Sequence, residues 1–252
     1  MMLQIRQDPP HEGVVLMAED MALLEQAERG ELEPTLRFYE WSQPTVSLGF
    51  HQPEQVLDAE RLRAARMPWV RRPTGGAAVL HSEELTYAIV IPDVAGAGAG
   101  ASVRVQELVS RAIALGLRDI GVEADADSRG EPLTALPNRS SCFVRTSRWE
   151  VTARGRKIVG SAQRRLTRAL LQHGSILTGD DHLRITDFLR VSNEAERESL
   201  RRKLAEKATS VAAELGHAVS TDTLRAALTA SFSRVFTAEA PVREALRDEV
   251  DR

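Results

Sequence analysis

Cysteine is almost absent from this chain: Cys142 is the only one in 252 residues. No internal disulfide can form, and the sequence fits a reducing compartment, so the expected location is the cytoplasm. No apolar run approaches the ~20 residues that a membrane helix requires, and no membrane partner is expected. The N-terminal MMLQIRQDPPHEG places Asp8 and His11 where a secretion signal needs an apolar stretch, and is read as no such signal. A formal charge of −3 gives no general reason to expect nucleic acid. There is neither a Walker-type phosphate loop nor a GxGxxG dinucleotide fingerprint. Lysine is also scarce, with three against thirty arginines. Where basic residues are nearly always Arg, a Lys in an expected strand marks a position that wants a compact ammonium rather than a planar fork. Lys157 is that residue.

An apolar fraction of 42% supports a real core. The expectation is one domain over 1–252, with 194–252 a helical tail packed on it. Residues 14–29 read as an amphipathic helix with Val14, Met17, Ala18, Met21 and Leu24 inward, stopped by Gly30. Such a methionine stripe is more often core than ligand surface. Strands are expected at 36–41, 46–49, 69–72 and 85–91, and a helix from Pro53 with Leu57, Leu62 and Ala65 inward. A second helix is expected over 103–117, a long polar loop over 124–141, and a hairpin of strands 149–152 and 157–159 turning at Arg154-Gly155. Ala169 to Leu177 is a further strand. ERESLRRKLAEKATSVAAEL reads as one charged helix, DTLRAALTASFSRVF as another, and Pro241 opens a last short one.

Two stretches carry candidate chemistry. The first surrounds Cys142, with Arg139, Arg145, Arg148 and Lys157 nearby in sequence. Cationic surroundings favour thiolate over thiol, and a thiolate beside a cation suits acyl transfer. The plain alternative is a buried small Cys and a solvated Lys. The second stretch is WVRRPTGGAAVLHSEELTYAIVIP, a strand entering a Pro-Thr-Gly-Gly turn and a strand leaving it. Glycines let backbone N–H groups approach a ligand, and Arg71 and Arg72 suit an acidic group. The alternative is an ordinary tight loop. His173 has no metal-ligand partner at a recognisable spacing, so no metal site is expected and a hydrogen-bonded structural role is the simpler reading.

The pieces WSQPTVSLGF with Gln52, then RRPTGGAAVLH, then KIVGSAQ and QHGSIL resemble the lipoate–biotin ligase superfamily in order and spacing over some 160 residues. Placing a Cys ahead of the Lys is similar to the cysteine-dependent octanoyltransferase branch, and Phe143 follows the Cys as it does there. Ala77 departs from that pattern, where relatives carry Gly or Arg, as does Ser82-Glu83 after the His. The resemblance implies an α+β fold, a mixed and largely antiparallel sheet flanked by helices, with a helical C-terminal tail. It implies catalysis by Cys142 and Lys157. Substrate would be bound by Arg71, Arg72, Thr74, Gly75, Gly76, Ala77, Ala78, Val79, His81, Gly160, Ser161, His173, Gly174 and Ser175.

The implied partners are octanoyl-acyl carrier protein and glycine cleavage H protein or another lipoyl domain. No cofactor is implied. Arg71, Arg72, Arg164 and Arg165 are candidate docking groups for acidic carriers. An amidotransferase of the same branch, an ATP- and Mg-dependent lipoate–protein ligase, and a non-catalytic carrier-binding protein stay open beside it.

Overall fold

The computed structural model describes residues 3–94, 98–127 and 150–238. Cys142, the segment 128–149 and the helix expected from Pro241 lie outside the described residues. The central sheet has five strands in the order β1-β2-β6-β11-β10. These are β1 (Gln4–Gln7), β2 (Thr35–Tyr39), β6 (Glu84–Ile91), β11 (Leu170–Leu177) and β10 (Val159–Arg165). Only the β1–β2 pair is parallel. A second sheet sets β3 (Thr45–Leu48) between parallel β4 (Trp69–Arg71) and antiparallel β5 (Val79–His81). A third runs β7 (Ala124–Asp127), β8 (Glu150–Ala153), β9 (Arg156–Lys157).

Every residue of β6 is buried, which a half-exposed strand never shows. Side chains alternate between faces, so Leu85, Tyr87, Ile89 and Ile91 point one way and Ala88 and Val90 the other. The first set joins Leu36 and Phe38 against α3 (Gly98–Asp119) and α7 (Thr221–Ala238). The second joins Tyr39 and Leu171 against α1 (Gly13–Glu28). The sheet is thus covered on both faces. Around the second sheet, Val46, Leu48 and Leu80 pack with α2 (Ala59–Ala64), α4 (Ile185–Phe188) and α5 (Glu194–Lys207) in a separate cluster.

Several expectations shift. On α1 the buried stripe is Leu16, Asp20, Leu23, Leu24 and Ala27 with Met17, whereas Val14 and Ala18 are exposed. The displacement comes from Asp20, a carboxylate on the inner face that a search for apolar periodicity passes over. Pro53 opens only a 3-10 turn at Glu54–Val56. The α-helix starts at Ala59, because the Asp58 side chain accepts from Glu60 N and Arg61 N. Residues 124–127, expected as loop, pair with β8 as a strand, and their Ala/Asp alternation is the period-two signal. The single charged helix is two, since Thr209 N donates to Lys157 O at 2.9 Å. Ser210 then caps α6 (Val211–Leu215). The hairpin turns where expected, with Arg154 at φ 48° and Gly155 at φ 76°, the mirror-image turn that matches strand twist. The strand expected over 157–159 instead changes sheets, pairing with β8 through Lys157 and with β11 from Val159 onward.

The helix α7 is part of this core. Phe232 is fully buried, edge-on to Phe38 at 6.1 Å and stacked on Phe236 at 5.9 Å. Phe232→Ala is expected to cost about 3–5 kcal/mol by opening a cavity, read as a fall in the urea midpoint. A change under 1 kcal/mol would mean that α7 is peripheral to the fold.

Candidate functional site

A cleft of about 400 Å³, counting its open mouth, lies between α1, the end of β2, the second sheet and the β10–β11 pair. Its floor is backbone. A methyl on Gly174 would stand 2.3 Å from Gly160 O, so β10 and β11 approach at this level only without a side chain there. Met17, Tyr39, Trp41, Val79 and Thr86 form much of the wall. Trp41 stacks on His81 at 3.9 Å with 11° between the rings.

Of the residues expected at the site, Arg72, Val79, His81, Gly160, Ser161, His173, Gly174 and Ser175 line this cleft. Arg71, Thr74, Gly75, Gly76, Ala77 and Ala78 do not line it. They belong to the strand and turn that carry Arg72 to Val79. Here two loops meet backbone to backbone. A methyl on Gly49 would lie 2.0 Å from Gly76 O, and Phe50 N donates to Thr74 O at 2.8 Å. Two arginines clasp these loops. Arg71 Nη1 donates to Gly49 O, Phe50 O and Gln52 O at 2.7–3.2 Å. Arg72 is buried and donates to Gly75 O at 2.7 Å, Ala77 O at 2.8 Å and Ser47 Oγ at 2.9 Å. Of the other two suggested docking groups, Arg164 donates to Pro73 O and lies over the Phe50 ring, and Arg165 donates to Val94 O.

Each cleft histidine is held at both ring nitrogens. A carboxylate only accepts, so it fixes the tautomer. His173 Nδ1 donates to Asp20 Oδ2 at 2.8 Å, which leaves Nε2 to accept from Thr74 Oγ1 at 2.6 Å. His81 Nδ1 donates to Glu84 Oε1 at 2.7 Å, and Nε2 accepts from Ser47 Oγ at 2.7 Å. Glu84 Oε1 also takes Thr86 Oγ1 at 2.7 Å and Ser175 Oγ at 3.0 Å, while Trp41 Nε1 donates to Thr86 Oγ1. Asp20 is completely buried, and accepts from Arg37 Nη1 at 2.7 Å and from Tyr39 OH at 3.0 Å as well. Arg37, also buried, reaches Asp8 at 2.6 Å.

Lys157 is 7% exposed and its Nζ donates to Glu150 Oε1 at 2.5 Å. It sits on β9, two residues before the chain enters β10, and so next to the strand that carries the Gly160 floor. Met17, Tyr39 and Thr86 were not anticipated as lining residues. The alternation of Tyr39 and Trp41, two residues apart, was the available signal, whereas nothing distinguishes Met17 from its core neighbours on α1. Among the described residues no cluster of three or more His, Cys, Asp or Glu is arranged to hold a metal, and no helix is long and apolar enough to cross a membrane.

Burial holds the His173 imidazole below its ordinary range; Asp20 opposes this, and Arg72 and His81 add to it. The folded protein therefore refuses a proton that the unfolded chain accepts below about pH 6.5. This contribution is intact above that pH and is lost as pH falls. Tm should drop between about pH 7.5 and 5.5, and His173→Gln, less stable throughout, should show a flatter profile. Some slope should persist from His182, which burial also lowers. Parallel profiles for the two proteins would remove His173 from the pH dependence.

The family model of the lipoyl protein ligase A/B catalytic domain matches residues 13–233. The chain is 37% identical over 237 residues to the octanoyltransferase LipM of Kyrpidia tusciae, spanning 92% of this chain and 86% of that protein. It is 37% identical over 228 residues to the octanoyltransferase LipM of Moorella thermoacetica, spanning 88% and 82%. Among solved structures, a bipartite lipoate protein ligase from Thermoplasma acidophilum is similar at a TM-score of 0.76 and 23% identity, covering 94% of this chain and 84% of that one. That likeness concerns the fold, and the expected α+β architecture, with antiparallel-rich sheets flanked by helices, is borne out. Since the match runs from the start of α1 through both glycine loops and into α7, the chain belongs to the lipoyl protein ligase A/B catalytic domain family.

Proposed function

We propose that this protein is an acyltransferase of lipoate assembly, moving an octanoyl group from acyl carrier protein to a lysine of a lipoyl-domain protein such as glycine cleavage H protein. The observation that carries this reading is 32–37% identity, over most of the chain, to proteins named octanoyltransferase. The cleft supports it. Its walls are largely apolar side chains and its floor is glycine backbone, which suits an unbranched alkyl chain. Burying each methylene contributes about 0.8 kcal/mol.

The transfer has two steps. The Cys142 thiolate adds to the thioester carbonyl carbon, the carbon–sulfur bond to the carrier breaks, and the carrier thiolate leaves and takes a proton. A lysine amine of the acceptor then adds to the Cys142 thioester. The new carbon–nitrogen bond forms, the amine proton is lost and Cys142 leaves as thiolate. Exchange between thioesters is nearly balanced, and amide formation from a thioester runs downhill, so the sequence of steps needs neither ATP nor a metal. Splitting one transfer in two is what covalent catalysis offers. Lys157, held through Glu150, supplies positive charge beside the floor strand to favour the Cys142 thiolate and the oxyanion of each step.

The test is intact mass after mixing the protein with octanoyl-acyl carrier protein in the absence of ATP. A gain of one octanoyl group is expected, absent in Cys142→Ala. Lys157→Arg, which keeps charge but not the compact head, should slow the gain by at least about tenfold. No gain without ATP, with acceptor modified only when ATP and free lipoate are added, would overturn the reading in favour of a ligase.

A further inference from the structure

On the outer side of the β4-β3-β5 sheet, away from the cleft, lies a groove of about 930 Å³, counting open solvent. Leu57, Leu62 and Met67 form its base, and Arg63, Arg66 and Trp69 stand on its rim. Both arginines are exposed, and neither guanidinium has an ion-pair or hydrogen-bond partner among the described residues, their one mutual bond being backbone Arg66 N to Arg63 O. Trp69 is 39% exposed. Glu54, the one acid on the rim, sits 3.7 Å from Arg71. Although the chain carries a net −3, no acidic residue occurs between Arg61 and Ser82. Arg66 holds its side chain there from a left-handed backbone, φ 51°, at the end of α2. Glycine would be unstrained at such a position, so the guanidinium is gained at a conformational cost.

Isolated surface arginines are ordinarily solvated and worth little. Two unpaired guanidinia flanking an exposed tryptophan over an apolar base have instead the composition of a protein interface, where Arg and Trp are enriched. Position decides between carriers. Trp69 is three residues before Arg72, the nearest cleft-lining residue along the chain, which is about 10 Å along an extended chain. A partner seated on the groove must reach past the β4 edge to the cleft. The side chain of an acceptor lysine is too short for that. A donor that carries its acyl group on a long, flexible phosphopantetheine arm is not so limited.

We infer that the Arg63–Arg66–Trp69 groove docks the acidic acyl-carrier donor, steering it by charge while its arm delivers the thioester over β4 into the cleft. This rests on the acyltransferase reading above.

The experiment compares octanoyl-acyl carrier protein with octanoyl-pantetheine, a small thioester without a carrier, in forming the acyl-enzyme. Arg63→Glu/Arg66→Glu should raise KM for the carrier-borne substrate at least about tenfold and leave the small thioester within about twofold of the native rate. Between about 50 and 300 mM salt, the native rate with carrier should fall while that of the variant stays flat. Trp69→Ala should weaken the carrier reaction alone. Equal effects on both thioesters, or no effect on either, would overturn the inference. So would an unchanged donor reaction with slowed transfer to a lipoyl domain, which would assign the groove to the acceptor. If the native protein took no octanoyl group from either thioester, the acyltransferase reading itself would fail.

Discussion

The Asp20 carboxylate ties one helix to two strands and, through a histidine, to a loop. It accepts from Arg37 and Tyr39 on β2 and from His173 on β11, and His173 in turn holds Thr74 at the glycine turn. A buried charge of this kind is costly unless paired and hydrogen-bonded throughout. Asp20 meets that condition only when α1, β2, β11 and the turn are all in place. One oxygen pair therefore makes the position of the helix and the position of the cleft the same problem. It also gives Tyr39 a phenol that burial and the Asp20 charge keep well above its ordinary range, so the cleft wall stays neutral there.

The second constraint is backbone against backbone. Gly49 and Gly76 touch, as do Gly174 and Gly160, and neither contact admits a side chain. Loops packed this closely turn carbonyls toward one another, and those carbonyls require donors. Arg71 and Arg72 supply them, each gathering oxygens from loop segments that share no strand ladder. The paired arginines and paired glycines of RRPTGG are thus two halves of one device. Glycine permits the approach, and arginine satisfies the groups that the approach strands.

This explains which features were legible in the sequence. The glycine turns, the hairpin at Arg154-Gly155 and the buried strand β6 announce themselves through local chemistry, and they lie where expected. The inner face of α1 did not, because its pivot is a carboxylate whose partners are 17 and 153 residues away. The destinations of Arg71 and Arg72 were hidden for a similar reason. A guanidinium that binds backbone oxygens looks, in sequence, like one that awaits an anion, since every residue supplies the same carbonyl. The change of sheet after Lys157 depends on whether β8 or β11 is the better partner, which is a property of the assembled sheets and not of KIVG.

These arrangements settle what the cleft wall presents to a guest. Arg72 is spent on loop carbonyls, and Asp20 on Arg37, Tyr39 and His173. Glu84 gathers a histidine and two hydroxyls, and burial keeps His173 neutral. These pairings leave one carboxylate oxygen, Glu84 Oε2, without a hydrogen-bond partner among the described residues, and it is buried behind the wall, out of a guest's reach. What remains available is hydrocarbon, aromatic face and glycine backbone. Such a wall gains most from an unbranched apolar chain, for which the driving force is area removed from water and not direction. Under the proposed acyl transfer, direction is then needed at one end only, where the carbonyl would be held and attacked. Lys157, alone among the lysines in being buried, stands at the entry to the floor strand, and under the proposed acyl transfer it would serve that end. Separating an undirected tail from a directed head explains why a region so rich in internal hydrogen bonds shows its guest so few of them.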